Sequence, residues 1–249
     1  MITVVLLGLI IFMAYTTQAM IGFGANIIAL SLGAHLWPLE QLLPVVVALN
    51  IPLSGWLAWR SREHIALNLL LQQVLPLAGI GFLIGAVTSI WLRSQWLAVG
   101  YGVLVTSIAS WESLRVHQAP QPIAPLQRWL SLGIGGLAQG LYASGGPFIA
   151  YAMDRMQLSR QSFRASLLCI WLLTNSVLFA SFIWRGRVDE QSWTHILWAM
   201  PVLWLGLRAG DWLHYKVSDN LFRRGLYLVL VMAGLTLILR SWPGLSPGA

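Results

Sequence analysis

The sequence predicts an all-α polytopic membrane protein, because of its composition, the spacing of its apolar segments and an internal repeat. Of its 249 residues, 57% are hydrophobic and only 9% are charged, and the mean hydropathy is +0.72. A typical soluble domain carries about 25% charged residues, so this chain lacks the polar surface that a water-soluble core of its size requires. We therefore expect the chain to lie in a lipid bilayer.

The charge and cysteine patterns exclude several classes of protein. The formal net charge is +7, but the basic residues occur in small groups between apolar runs, which does not indicate nucleic-acid binding. A single cysteine, Cys169, excludes an intramolecular disulfide and a Cys-based metal cluster. The five histidines are scattered, and neither a P-loop nor a Ser-His-Asp set is present. The sequence therefore predicts no enzyme, no cofactor and no metal site.

The apolar segments between charges have about the ~20 residues that a membrane-spanning helix needs. Seven of these segments have clear bounds: Gln41–Trp59, Ile65–Leu92, Ser94–Trp111, Trp129–Met153, Ala165–Trp184, Gln191–Leu207 and Gly225–Leu239. The eighth, the run from Met1 to Leu39, has no charged residue and is too long for one ordinary span. The glycines of Gly22-Phe23-Gly24-Ala25-Asn26 predict a break in this first helix. We expect this first span to be retained, because it lacks the basic segment with which a signal peptide begins.

An internal repeat divides the chain into two halves. A shift of 125 positions aligns matching residues throughout the second part of each half, including Asn50 with Asn175, Arg60 with Arg185, Gly81 with Gly206 and Gly85 with Gly210. Nearer the start of each half the shift is 121, which pairs Gln18 with Gln139 and Gly24 with Gly145. The repeat predicts two four-helix units, 1–117 and 126–249, joined by the Pro-rich connector 118–125.

This arrangement predicts the relation between the halves. Four crossings return a chain to its starting side, so we expect parallel repeats related by an axis along the membrane normal; if one segment fails to cross, the repeats become inverted. With eight crossings, seven basic residues fall on each face, with Arg60 and Arg185 on one and Arg164 on the other, so the positive-inside rule gives no orientation. Arg208 and Asp211 are spaced to form an ion pair near the membrane interface, and the alternative is a coupling or gating site.

The second half contains Gly133-Ile-Gly135-Gly136-Leu-Ala-Gln139-Gly140, then Ser144-Gly145-Gly146-Pro147-Phe148, and Phe163-Arg164-Ala165 further on. This pattern resembles the second repeat of the sulfite exporter TauE/SafE family, and Gly22-Phe23-Gly24-Ala25-Asn26 is a degenerate counterpart in the first half. The resemblance covers nearly the whole chain. It implies a bacterial inner-membrane permease that moves a small sulfur-containing anion such as sulfite, sulfoacetate or thiosulfate by alternating access.

The breaks have a physical interpretation that does not depend on the resemblance. A helix interrupted inside a membrane exposes amide N–H groups at the start of its second part, and these groups attract an anion. Pro147 fits the first turn of such a helix, and Ser144 can donate a further hydrogen bond. The predicted first-repeat contributors are Gly22, Gly24 and Asn26, and the second-repeat contributors are Ser144, Gly145, Gly146 and Pro147. The alternative is that these glycines only allow close helix packing.

Polar side chains near the breaks complete the predicted site. Asn50 and Asn175 lie in the middle of their segments, and Gln18 and Gln139 precede the two breaks. An amide in the membrane needs partners, which can be substrate oxygens or neighbouring helices, and both interpretations stay open.

We therefore expect a multi-pass anion permease of the bacterial inner membrane, with lipid and a small anion as its partners and no nucleic acid. The chain is also compatible with a homodimer. Two alternatives are a non-transport membrane scaffold or assembly factor, and a permease for an organic acid or a neutral solute.

Overall fold

The computed structural model describes residues 2–33, 36–89 and 122–218, with scattered helical residues between 99 and 110 and between 221 and 239. Every regular element in these residues is helical. The helices are α1 (Ile2–Ile21), α2 (Ala25–Gly33), α3 (Leu39–Arg60), α4 (Leu67–Thr88), α5 (Pro125–Tyr142), α6 (Gly146–Asp154), α7 (Arg160–Trp184) and α8 (Glu190–Lys216). A π-helical segment, Leu70–Val74, lies within α4, and the 3-10 turn Arg62–His64 precedes it.

Four of the described helices are long and apolar enough to cross a membrane: α1, α3, α4 and α7. The chain is therefore an all-helical membrane protein. The predicted segments Ser94–Trp111 and Gly225–Leu239, and connector residues 118–121, lie wholly or largely outside the described residues. Pro125 begins α5, where its missing N–H costs nothing, and does not end the connector.

Both predicted breaks are present, but the chain reverses direction at each of them. Gly33, at the end of α2, lies beside Leu42 and Leu7, so α2 returns along α1. In the second half, Gly145 packs on Gly135 and Gln139 of α5, so α6 returns in the same way. The expectation of one continuing span at each break was therefore wrong. α1–α2 and α5–α6 are helical hairpins, and each short arm has nine residues, about 13 Å or half the hydrocarbon thickness.

The contacts between the halves show that α3 and α7 are antiparallel. Ser166, near the start of α7, accepts a hydrogen bond from the Ala66 N–H beyond the end of α3 (3.0 Å), and Leu172 packs on Gly55. Further along, Asn175 lies near Asn50 through shared hydrogen bonds. Residues later in α7 therefore contact residues earlier in α3. α3 and α7, which occupy equivalent places in the two halves, run in opposite directions, so the expectation of parallel repeats was wrong.

The glycines of the repeat make equivalent close contacts in the two halves. A Cβ on Gly210 of α8 would lie 2.2 Å from the Thr16 carbonyl oxygen in α1, and a Cβ on Gly85 of α4 would lie 2.2 Å from the Leu137 carbonyl oxygen in α5. Thr16 and Leu137 are 121 residues apart, and the two glycines are 125 apart, which are the two shifts of the repeat. Each long hairpin arm therefore packs on a helix of the other half, and small residues allow this approach.

These directions correct the predicted membrane faces. α3 ends at Arg60, and we call this side the Arg60 face; α7 ends on the opposite side, the Arg185 face. Arg164 lies in the second turn of α7 and shares the Asp211 carboxylate with Arg60, so these two arginines lie on one face and not on two. Arg60 and Arg185, which were expected to share a face, lie on opposite ones.

Candidate functional site

A chain of five buried amide side chains joins the two halves at the hairpin tips. Gln18 donates to Asn50 (2.9 Å), and Asn50 donates to Asn26 (2.8 Å). Asn26 and Gln139 then both donate to Asn175, over 3.4 and 3.2 Å. All five side chains belong to residues that are at least 93% buried. Most polar atoms of these amides therefore bond to neighbouring parts of the protein, as the interpretation as interhelical partners predicted.

The two glutamines hold the starts of the short helices in the same way. The Gln18 carbonyl oxygen accepts from the Ala25 N–H at the start of α2 (3.2 Å), and the Gln139 oxygen accepts from the Gly145 N–H just before α6 (3.0 Å). Each glutamine also donates to the mid-helix asparagine of its own half. The repeat is therefore visible in the hydrogen bonds as well as in the sequence.

A cavity of about 20 Å³ lies between the hairpin tips and holds no more than one or two water molecules. The residues that line it share a position at the two breaks or in the middle of α3 and α7: Gln18, Phe23, Gly24, Asn26, Ile27, Asn50, Gln139, Ala143, Ser144, Gly146, Trp171 and Asn175. None of these lining residues carries a charge. An ion in this cavity would therefore meet only neutral dipoles.

The cavity contains hydrogen-bond donors in excess of their partners within the protein. The Asn175 Nδ2 group is buried and has no hydrogen-bond partner. The first bond within α2 runs from the Ile28 N–H to the Gly24 carbonyl (3.0 Å), so the Asn26 and Ile27 N–H groups precede the helical ladder. Since Gly146 of α6 also lines the cavity, the positive ends of two short helix dipoles meet there. This combination suits an anion and not a metal ion, and the described residues include no group of three potential metal ligands.

The structure brings together eight of the eleven predicted site residues at the cavity: Gln18, Gly24, Asn26, Asn50, Gln139, Ser144, Gly146 and Asn175. The other three, Gly22, Gly145 and Pro147, do not line it. Gly22 has φ +102° and lies against the Arg164 backbone, while a Cβ on Gly145 would lie 2.0 Å from the Gly135 carbonyl oxygen. These glycines and Pro147 therefore shape the reversals without facing the cavity.

Four lining residues were not predicted because they are apolar and leave no polar signal: Phe23, Ile27, Ala143 and Trp171. Trp171 donates from its indole nitrogen to the Gly22 carbonyl (2.8 Å), which fixes the first tip. Ala143 has the left-handed value φ 52°, as its repeat counterpart Gly22 has a positive φ. The 121-residue shift could have identified Ala143 as the turn position of the second tip.

The predicted ion pair between Arg208 and Asp211 is wrong. Asp211 is buried and pairs with Arg164 (3.0 Å) and Arg60 (3.1 Å), whereas Arg208 is exposed. The Arg164 guanidinium also donates to the Ala19 carbonyl in the last turn of α1 (2.8 Å). The partners of Asp211 thus come from other helices and not from its own.

The comparisons with known proteins agree with this architecture. The sequence model of the family "Sulfite exporter TauE/SafE" matches residues 7–237. A curated relative from Comamonas testosteroni, the probable inner membrane transporter protein TsaS, is 24% identical over 207 residues, which cover 80% of this chain and 83% of the relative. No solved structure matches the chain. The family model spans most of the chain, from the first hairpin to beyond α8, and we conclude that the chain belongs to the sulfite exporter TauE/SafE family of membrane transporters.

Proposed function

We propose that this transporter moves a small oxyanion, and specifically a sulfur-containing one such as sulfite, sulfoacetate or thiosulfate, through the cavity between the two hairpin tips. The family description supports sulfite as the first substrate to test. The family and the name of the relative support the bacterial inner membrane as its location. Gln18, Asn26, Asn50, Gln139, Ser144, Gly146 and Asn175 form the substrate site in this proposal, with Gly22, Gly145 and Pro147 shaping the tips.

One observation carries the proposal: the Asn175 Nδ2 donor is buried beside the cavity without a partner. A buried donor without a partner costs about 1–3 kcal/mol, so a ligand that accepts its hydrogen bond gains that energy on binding. The two short helices direct further N–H groups towards the same point. None of the described residues that line the cavity carries a carboxylate that would repel an anion.

The small volume of the cavity indicates how transport would proceed. The cavity of about 20 Å³ has room for about one or two water molecules, and we propose that the hairpins move apart from α3 and α7 to admit an oxyanion. In an inverted repeat the two halves can exchange roles, and one arrangement opens to each face. We propose that eight helical segments in two such repeats, the two hairpins included, carry out this exchange.

We further propose that the Arg60 face is cytoplasmic. Ten Lys and Arg residues occur within residues 36–89 and 122–218. Eight lie towards the Arg60 face by the helix directions above: Arg60, Arg62, Arg128, Arg155, Arg160, Arg164, Arg208 and Lys216. Only Arg185 and Arg187 lie at the other face. The positive-inside rule then favours a cytoplasmic Arg60 face.

Sided cysteine labelling measures this orientation. In a Cys169→Ala background, Glu63→Cys lies in the turn at the Arg60 face and Glu190→Cys lies at the Arg185 face. We expect an impermeant thiol reagent added to intact spheroplasts to label Glu190→Cys and to leave Glu63→Cys unlabelled until the membrane is opened. The reverse pattern would contradict the assigned orientation.

A flux assay tests the proposed substrate class. Purified protein in proteoliposomes should move sulfite, thiosulfate or sulfoacetate down an imposed gradient, at a rate well above that of protein-free vesicles. Acetate and urea serve as an organic acid and a neutral solute of similar size. Flux of acetate or urea without flux of any sulfur anion would contradict the substrate class, and no flux of any solute would contradict the site.

A further inference from the structure

One buried charge cluster lies outside the cavity and joins four helices. Its members are Arg60 at the end of α3, Arg164 in α7 and Asp211 in α8, and it includes the Ala19 carbonyl in the last turn of α1. The Arg164 and Asp211 side chains are 3% and 8% exposed, whereas the Arg60 side chain is 60% exposed. The cluster thus extends from the aqueous face into the protein.

The cluster lies next to the first hairpin tip. A Cβ on Gly22 would lie 3.1 Å from the Arg164 Cα, and the Gly22 carbonyl accepts the Trp171 indole bond (2.8 Å). Trp171 lines the cavity. A single peptide therefore separates the ionic cluster from the wall of the site, on the side of the Arg60 face.

The opposite end of the molecule has no equivalent cluster at the corresponding positions. The repeat shift of 125 places Arg185 where the first half has Arg60, but it places Leu39 opposite Arg164 and Ala86 opposite Asp211. Among the residues that the structure describes, Arg185 donates to the Ala86 carbonyl alone, over 3.4 Å. The close helix contacts are thus present at both ends, whereas the ionic links at these positions are present at the Arg60 face and not at the Arg185 face.

We propose that Arg60, Arg164 and Asp211 form an ionic gate that closes the cavity towards the Arg60 face, and that its absence at the equivalent positions lets the resting protein open more readily towards the Arg185 face. The inference rests on the proposed transport function, because a gate has meaning only where a solute passes. Opening towards the Arg60 face must separate α3 and α7 from α1 and α8. That movement breaks the bonds of Arg60 and Arg164 to Asp211 and of Arg164 to Ala19. At the equivalent positions of the other end, the described residues are linked by one long hydrogen bond to a carbonyl.

A cysteine in the cavity reports opening without any substrate. Ile27→Cys in the Cys169→Ala background replaces a buried side chain in the wall of the cavity, so labelling requires an opening. An impermeant methanethiosulfonate reagent is added to right-side-out or inverted membrane vesicles. Glu63→Cys and Glu190→Cys identify which face the reagent reaches in each preparation.

We expect faster labelling of Ile27→Cys from the Arg185 face than from the Arg60 face in the unmodified gate. Asp211→Asn should raise the rate from the Arg60 face about tenfold, because hydrogen bonds between charged groups are lost from the closed state only. Arg60→Gln should raise the same rate about twofold to fivefold, a smaller effect because that arginine is exposed. Arg185→Gln, the matched variant at the repeat position, should leave the rate from the Arg60 face unchanged.

If Asp211→Asn does not fold, Arg60→Gln still tests the gate, because replacing an exposed side chain leaves the fold intact. An unchanged rate from the Arg60 face in Arg60→Gln would overturn the gate, and so would an equal rise from both faces. The proposed substrate fails separately: sided labelling without flux of any sulfur anion retains the gate and rejects the substrate class. Sulfite flux with unchanged labelling retains the substrate and rejects the gate.

Discussion

Gly146→Val should reduce anion flux in proteoliposomes by about tenfold to a hundredfold, while the protein still inserts into the membrane. A Cβ at Gly146 would lie 3.0 Å from the Phe23 ring, so even one added carbon is tight where the two hairpin tips meet. Valine adds two further methyl groups at the wall of a cavity of about 20 Å³. Overpacking of this kind costs about 1–3 kcal/mol. Since the tips must move for an ion to enter, we expect the cost to appear in transport.

The matched control for this variant is Gly79→Val in α4. A Cβ at Gly79 would meet no atom of the described residues within 4 Å, so valine fits there without displacing any of them. We expect Gly79→Val to retain both flux and expression. Gly146→Val should retain expression and a folded elution profile but lose flux. Full flux in Gly146→Val would show that the contact between the tips does not limit passage, and would remove Gly146 from the proposed site.

The sequence was sufficient to locate the breaks and the polar residues around them, because glycines and buried amides are both strong local signals. It did not show the direction of the chain after each break. A glycine-rich interruption ends a helix, but whether the next nine residues continue across the membrane or return depends on packing against α3 or α7. One reversal changes the number of crossings in a half, and so converts parallel repeats into inverted ones.

The partners of Asp211 show a second limit of sequence reasoning. The residue lies three positions after Arg208, and the local helix rule therefore favoured that pair. In the structure Arg60 and Arg164 approach from 151 and 47 positions earlier in the chain. Their approach depends on the antiparallel packing of α3 and α7, which the spacing of nearby residues in the sequence does not reveal. Four of the five amides were accessible from the sequence because the repeat places Gln18 and Gln139, and Asn50 and Asn175, at equivalent positions.

Asn175→Ala should raise the apparent KM for the transported anion by about tenfold to a hundredfold. The Asn175 Nδ2 group is the buried donor without a partner at the cavity, and a hydrogen bond to a charged acceptor contributes about 1.5–3 kcal/mol. Concentration-dependent flux in proteoliposomes measures this change. Thr174→Val is the neighbouring control, since the Thr174 hydroxyl donates to the Ile170 carbonyl within its own helix and does not line the cavity.

The repeat supplies a second comparison, because Asn50→Ala removes the equivalent side chain in the other half. Both donors of Asn50 are already used, towards Gln18 and Asn26, and its oxygen accepts from Gln18 and Ser54. We therefore expect Asn50→Ala to lower the thermal midpoint in detergent by about 5 °C or more, through buried partners left unpaired. Asn175→Ala should lower the midpoint less and change KM more. An equal loss of stability with no change of KM in both variants would mean that the two asparagines only connect helices, and that the anion binds elsewhere.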